Sequence, residues 1–541
     1  MNRSSTRCIA GSGTTREPSL RDLVERRGRD NRDDAFCRFE DATITFGALD
    51  AAVNRVADGL RAVGVGPGDR VAVMLPNHPD HIYTVLALAK LGATHVPVNV
   101  HTKATGLQYL LEHSEARTVV ADARYQGELA AAVPRSSVTE TVVWRGALPV
   151  AHDGRAHSLD ELAAHGVEAP PKVGPGPDHV VSIMYTSGTT GPPKGVMLSD
   201  TMYRAAGRTA ALVADVRAGD VLFLWEPFYH IAGIQAIALC LQRGVSCALV
   251  ERFSAGSFWH QVRRHGATQI HYLGVVLGRL MMQPEHPEDA ANPARIAWGA
   301  AAPAELWPRF ERRFGVRIHE CYGLTEGASF TTVNLEGRVG SIGKPVDHFE
   351  VEIVDEADRP VPPGQVGEIV QREREPGLLM KGYFKNPEAT RAALRDGWLH
   401  TGDLGYRDAE GFFYFAGRTR DRIRCRGENV SAWEIERVVS ACPGVDECAV
   451  IGVPSALGED DIKLFVRPGD RPLAPADLIR WCEPRLAYFQ VPRYIAFVDE
   501  FPKTPSERIQ KSELSRSVDG CWDLEQSRGA AAPSHARPSR P

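Results

Sequence analysis

Between Met184 and Val196 the chain reads Met-Tyr-Thr-Ser-Gly-Thr-Thr-Gly-Pro-Pro-Lys-Gly-Val, so the ten residues from Thr186 carry four hydroxyls, three glycines and one lysine. Hydroxyls and backbone N–H groups donate to anionic oxygens, glycine lets the main chain approach them, and Lys194 adds positive charge. The set suits a phosphate cradle. Clusters of Gly, Pro, Ser and Thr also mark ordinary surface loops, but here an apolar strand, Val180 to Tyr185, empties straight into the cluster. The stretch is not a G-x-x-x-x-G-K-[ST] loop, whose hydroxyl after the lysine holds magnesium, because Gly195 follows Lys194.

Further chemistry-bearing residues follow at intervals. Phe228, Tyr229 and His230 close an apolar run that starts at Leu222. Gly299-Ala-Ala-Ala-Pro303 offers bare main chain, Glu320-Cys-Tyr-Gly-Leu-Thr-Glu326 sets a carboxylate beside a hydroxyl, and Gly397-Trp-Leu-His-Thr-Gly-Asp-Leu-Gly405 carries Asp403. Each has an ordinary structural reading: a core histidine, tight packing of small residues, a Tyr-Gly turn, and a β-hairpin closed at Asp408-Ala-Glu-Gly411. The segment Leu91-Gly-Ala-Thr-His-Val-Pro-Val-Asn99 is fully explained as a helix C-cap leading into a strand and receives no catalytic role.

In this order the stretches resemble the motifs of the adenylate-forming enzymes, the group of acyl-CoA synthetases, peptide-synthetase adenylation domains and beetle luciferases. The first matches nearly letter for letter, and the likeness runs from about residue 35 to 514. The resemblance implies ATP, Mg2+ and coenzyme A as partners in the chemistry. Thr186, Ser187, Gly188, Thr189, Thr190, Gly191 and Lys194 then grip the triphosphate. Gly299, Ala300 and Ala301 lie along the adenine, on which Tyr322 stacks beside Gly323; Thr325 touches phosphate and Glu326 is the magnesium ligand. Asp403 accepts from the ribose hydroxyls, with Arg418 and the aromatic at position 415, Phe415, on the same side. His230 borders the acyl and adenylate sites, and Gly427 lies where the thiol passes.

The last motif departs from the pattern. The family expects Pro-Lys-Thr, two or three small residues, then Gly-Lys-Ile, its final lysine bridging carboxylate and α-phosphate. This chain has Pro502-Lys-Thr-Pro-Ser-Glu-Arg-Ile-Gln-Lys511, so Glu507 and Arg508 replace glycine and lysine. Arginine keeps the charge in a planar fork rather than a point ammonium. Arg508, with Lys511 or Lys503 as the other candidates, is expected to take over the catalytic duty.

These residues need elements to position them. From Ala35 to about residue 170, helices such as Asp50–Val63 and His81–Leu91 alternate with short β-branched runs such as Arg70–Leu75, which predicts parallel strands with helical crossovers. The resemblance completes an α/β fold: a large N-terminal region of stacked, mostly parallel sheets with helices, plus a small mobile α+β C-terminal domain. The expected divisions are a flexible leader at 1–34, an ATP- and acid-binding domain at 35–418, a hinged domain at 419–515 with Arg420 at the hinge, and a disordered tail at 516–541.

With 63 basic against 68 acidic residues, a net charge of −5 and 24% charged residues, the chain of 541 residues has the balance of a soluble globular protein and no polyanion-binding signature. Its ten cysteines show no C-x-x-C pair or zinc-ligand spacing. No apolar block follows the polar N-terminus, and no run reaches the roughly 20 apolar residues of a membrane span. A cytoplasmic enzyme acting on a small-molecule acid is expected, without nucleic acid or an integral membrane segment; the sequence leaves the oligomeric state open.

The function expected is ATP-dependent activation of a carboxylic acid to an acyl adenylate with pyrophosphate release, then transfer to coenzyme A without a covalent enzyme intermediate. The run from Tyr272 to Pro284 looks closest to carnitine/crotonobetaine-CoA-ligase-like acyl-CoA ligases. Two alternatives stand beside it. One keeps adenylation but uses an atypical acid or acceptor without coenzyme A, such as nitrite for diazotisation of an aromatic amine. The other is a nucleotide-binding protein that has lost catalysis.

Overall fold

The computed structural model describes residues 18–530 apart from 137, 149–154, 173–174, 176–178, 187–192, 419–422, 431, 456–457, 503–508 and 510. Its first strands, β1 (Ala35–Phe39) and β2 (Ala42–Thr45), form a hairpin. Then come β3 (Arg70–Met74), β4 (Thr94–Pro97), β5 (Thr118–Asp122), β6 (Thr141–Arg145), β7 (Arg155–Ser158), β8 (Val180–Thr186) and β9 (Lys194–Ser199). They build a seven-stranded sheet in the order 7-6-5-3-4-8-9, parallel except for β9. Short Val-rich strands separated by helices cannot turn back as hairpins, so they pair in parallel through crossovers. Gly92 illustrates the punctuation: at φ 72° it ends the helix Pro79–Leu91 and releases the chain into β4.

The second sheet collects β10 (Val221–Leu224), β11 (Ser246–Leu249), β12 (Gln269–Leu273), β13 (Ile296–Ala300), β14 (Arg317–Leu324), β15 (Ser329–Asn334) and β16 (Lys344–Pro345). With the first hairpin they make nine strands, ordered 16-15-14-13-12-10-11-1-2. One core contains Val71 and Val73 of β3, Leu222 and Leu224 of β10, Leu86 and Leu88 of the helix Pro79–Leu91, and Ile237 and Leu241 of the helix Ile231–Arg243. The two sheets therefore sandwich a shared helical layer, and the ends of their strands open on a common side.

A third, antiparallel sheet is made by β17 (Phe349–Val354), β18 (Gly367–Glu373), β19 (Leu394–Arg395), β20 (Trp398–Arg407) and β21 (Phe413–Arg418), with the expected turn at Asp408–Gly411 joining the last two. Beyond it, β22 (Ile423–Cys425) and β23 (Glu428–Val430) form a small hairpin. A four-stranded sheet follows from β24 (Val445–Pro454), β25 (Asp460–Pro468), β26 (Tyr494–Phe497) and β27 (Trp522–Asp523). This C-terminal unit has its own core around Ile435, Leu464 and Leu478.

Two expectations about the ends are corrected. Residues 20–30 are not a loose leader but a helix, capped by Ser19 in a capping box with Asp22, and Leu20, Leu23 and Val24 enter the main core. Charges on the outer face of this helix masked its apolar stripe. Likewise the tail is ordered as far as Ala530: Trp522 and Asp523 add the last strand, Leu524 is buried, and Asp523 meets Arg493 at 3.4 Å. Residues 1–17 and 531–541 lie outside the described residues. Among the described residues nine cysteines are free, and no helix is long and apolar enough to cross a membrane.

Candidate active site

The loop that could cradle phosphate closes the β8–β9 hairpin, where Thr186 stands opposite Lys194 in the antiparallel register. A P-loop feeds a helix; this one feeds a strand, a second departure from that pattern. Ser187, Gly188, Thr189, Thr190 and Gly191 lie outside the described residues. Both posts of the loop are described. Thr186 Oγ1 is buried with no hydrogen-bond partner among the described residues, and Thr186 lines the central cavity. Lys194 Nζ sits 4.2 Å from the centre of the Tyr383 ring. Tyr383 Oη in turn donates to Glu326 Oε1 at 3.0 Å, and the N–H of Met380 donates to the Glu326 carbonyl at 2.9 Å. Tyr383 therefore links the lysine post to the candidate metal ligand. No periodicity or spacing around it in the sequence singled it out.

At the end of β13, Gly299 is required: a Cβ there would lie 1.9 Å from the carbonyl oxygen of Tyr272. Ala300 follows, and Ala301 turns the chain with φ 66°. The N–H groups of Ala301 and Ala302 donate to the carboxylate of Glu320, at 2.5 and 3.0 Å. Burial pushes the Glu320 carboxyl up to about 8, against the hydrogen bonds from Tyr272, Ala302 and Ala301. Glu320 thus shapes the small-residue ledge, a function the sequence reading did not give it.

On the next strand Gly323 is equally constrained, its hypothetical Cβ falling 1.5 Å from the Ser329 oxygen at a bulge between β14 and β15. Tyr322 donates its hydroxyl to Asp403 Oδ2 at 2.8 Å, and its ring centre lies 6.3 Å from that of the half-exposed Phe415. Asp403 faces Arg418 across the β20–β21 ladder. Thr325 and Glu326 sit on the short 3₁₀ turn that ends β14, with Glu326 buried at 3% exposure.

A cavity of about 1390 Å³ joins these strand ends to the C-terminal unit. His230 lines it and pairs through Nε2 with Glu428 Oε2 at 2.8 Å, while Tyr229 donates to Glu428 Oε1 at 3.3 Å. Burial opposes ionisation of Glu428, but His230, Arg424 and the Tyr229 hydrogen bond hold its carboxyl below the usual range. Gly427, in the β22–β23 turn at φ 83°, also lines the cavity and donates its N–H to Glu459 at 2.8 Å. Lys511 is not brought to the cavity. The helix Ala432–Ser440 captures it through Glu436, at 2.6 Å. Lys503, Glu507, Arg508 and Arg420 lie outside the described residues.

The donor set can be tested against a nucleotide with its magnesium ion. Magnesium bound with substrate phosphates is carried by one or two carboxylates rather than by an all-protein cage. Glu326 has that form: one oxygen is engaged by Tyr383 and the other makes no hydrogen bond among the described residues. The orphaned Thr186 hydroxyl supplies a donor to the same cavity.

Residues 24–384 match the model of the AMP-binding enzyme family, and residues 434–508 match that of the AMP-binding enzyme C-terminal domain. The chain is an AMP-binding enzyme. It is 34% identical over 488 residues to a crotonobetaine/carnitine–CoA ligase from Escherichia coli O7:K1, covering 86% of this chain and 92% of the relative. It is 35% identical over 478 residues to a sulfoacetate–CoA ligase from Cupriavidus necator, covering 87% and 92%. Among solved structures it is similar to a double mutant of o-succinylbenzoate CoA synthetase from Bacillus subtilis bound with a product analogue. The TM-score is 0.79 at 27% identity, covering 92% of this chain and 98% of the other. The same synthetase with ATP and magnesium ion gives 0.65 at 27% identity, covering 91% and 98%. This AMP-binding enzyme is an acyl-CoA ligase of the AMP-forming type. It activates a carboxylic acid with ATP and magnesium to an acyl adenylate and passes the acyl group to coenzyme A. Loss of catalysis, the third expectation, is thereby set aside.

Proposed function

We propose the following division of labour among the residues of this acyl-CoA ligase. Thr186, Lys194 and the loop between them grip the triphosphate; Thr325 touches phosphate and Glu326 holds magnesium, which when bound neutralises charge on the phosphate oxygens. The ledge Gly299–Ala301 and Tyr322 receive adenine, and Asp403 with Arg418 receives ribose. Activation is then a matter of positioning and electrostatics, since the substrate carboxylate is itself the nucleophile. Arg508 stands in for the missing lysine during that step.

We further propose that the large body carries activation and the C-terminal unit, from about residue 419, swings about Arg420 between two positions. In the second position Gly427 and the His230–Glu428 pair border the path of the thiol. The single observation that carries this reading is the placement of the C-terminal hairpin on the cavity while Lys511 is held away from it. The better match to the synthetase bound with a coenzyme A product analogue than to the same synthetase with ATP supports it. The free cysteines support a cytoplasmic location.

The test is pyrophosphate release measured over a panel of acids, with and without coenzyme A, alongside nitrite with an aromatic amine. Release with a carboxylic acid, followed by thioester only when coenzyme A is added, is the expected result. Release that requires nitrite and an amine and ignores coenzyme A would favour the atypical-acid reading. Arg508→Ala should slow adenylation far more than thiol transfer; an unchanged rate removes Arg508 from its proposed role.

A further inference from the structure

One buried pair on the cavity wall has no part in the scheme above. Glu226 lies two residues beyond the end of β10 and His271 lies in β12; each is 3% exposed and both line the cavity. His271 Nδ1 pairs with Glu226 Oε1. The main chain around both is pinned: Asn77 Nδ2 donates to the carbonyls of Trp225 and Glu226 at 3.0 and 2.8 Å, and Trp225 Nε1 donates to the carbonyl of His271 at 3.0 Å. Trp298 packs edge-on against the imidazole, ring centres 4.4 Å apart. Neither Glu226 Oε2 nor His271 Nε2 makes a hydrogen bond among the described residues.

In the tautomer whose Nδ1–H donates a hydrogen bond to the carboxylate, Nε2 offers a lone pair beside the second carboxylate oxygen. The pair then presents two acceptors to the cavity, next to apolar Ile231, Leu273 and Phe330. A hydrocarbon end lying here would strand both acceptors away from water, whereas a donor satisfies them. The apolar neighbours favour a substrate rather than a nucleotide contact. In the ladder His271 pairs with Trp298 and Trp298 with His319, so His271 lies two strands across and six residues short of Thr325, a separation of about 20 Å at the usual strand spacing and rise. That is the span of an extended acid whose carboxylate sits at Thr325.

Resting on the acid-activating reading above, we propose that Glu226 and His271 bind the end of the substrate remote from its carboxylate, and that this end carries a hydrogen-bond donor, an ammonium or a hydroxyl.

The experiment compares acids of one length ending in methyl, hydroxyl or ammonium, by pyrophosphate release and by thermal stabilisation with the acid alone. It is run on the wild type, Glu226→Gln and Glu226→Leu, with an unchanged ATP-induced thermal shift certifying each variant as folded. The wild type should prefer a donor-ended acid over the methyl-ended one by about 100-fold or more in kcat/KM, and the better of the two donors names the group. Glu226→Leu should erase most of that preference through KM, with kcat little changed. Glu226→Gln should retain use of a hydroxyl end and lose use of an ammonium end. Preference of the wild type for the methyl-ended acid overturns this assignment while leaving acid activation intact. Pyrophosphate release with nitrite and an amine but with no carboxylic acid overturns both.

Discussion

On the nucleotide side of the cavity, candidate groups from separate segments are bound to one another: Tyr322 to Asp403 at 2.8 Å, Tyr383 to Glu326 at 3.0 Å, and Glu320 to the main chain of Ala301 and Ala302. On the acceptor side, Glu428 of the C-terminal hairpin is reached from the body by His230 and Tyr229. An edge-on contact of His101 with Tyr488, ring centres 4.9 Å apart, adds to it. The first arrangement is preorganised and needs no rearrangement when charge develops. The second is a clasp on one carboxylate whose imidazole partner is 42% exposed, a point of contact rather than a network, and so can open within a catalytic cycle.

The comparison breaks most visibly at Asp403. Asp403→Ala should remove the acceptor of Tyr322 and, on the proposed reading, both ribose hydroxyl contacts. Charge-assisted hydrogen bonds are worth about 1.5–3 kcal/mol each, so kcat/KM for ATP should fall by about 10²–10³-fold in pyrophosphate exchange. Tyr322→Phe removes the Tyr322–Asp403 bond while keeping the Asp403 carboxylate, and should cost about tenfold. If the two variants are equally mild, Asp403 organises tyrosine and does not hold ribose.

How much of this was legible in advance follows the range of the interactions. The alternation that gives parallel sheets and the hairpin at Asp408–Gly411 were readable from local runs, because strand, turn and glycine chemistry act over a few residues; the cavity positions of Tyr322, Glu326 and His230 came from the resemblance of their motifs to the family's. Tyr383, Glu320 and the Glu226–His271 pair were not. Their partners lie 57, 19 and 45 positions away or at similar distances, and only sheet register brings them together. The N-terminal helix failed for another reason: its charged face hid three buried apolar side chains. Lys511 looked like a catalytic substitute by position, yet Glu436 on the neighbouring helix claims it.

A smaller effect separates the two sides at Glu428. Glu428→Gln keeps the shape and weakens the clasp to His230, so adenylation should stay within about twofold while thioester formation changes by up to about tenfold. Single-turnover measurement of each half-reaction checks this. Equal losses in both would mean that the clasp supports the whole site, and the contrast between a fixed and an opening side would no longer hold.

The smallest effect is the response of stability to pH, where the two carboxylates have opposite signs. Glu428 is held below its usual range, so its contribution is present above the unfolded value, about 4.3, and is lost as the pH falls through the folded one. Glu320 is raised to about 8, so its contribution is complete below the unfolded value and is lost as the pH rises towards 8. Between pH 5 and 8 the folded protein therefore binds more proton at Glu320 than the unfolded chain does, and stability declines with pH at that site. Glutamine does not titrate. The Tm of Glu320→Gln relative to the wild type should accordingly rise by a few degrees from pH 5 to pH 8, whereas Glu428→Gln should run parallel to the wild type over the same interval and differ only in acid. Parallel curves for Glu320→Gln would show that the carboxylate is ionised in the fold, and the ledge at Ala301 and Ala302 would then carry a buried negative charge close to the nucleotide.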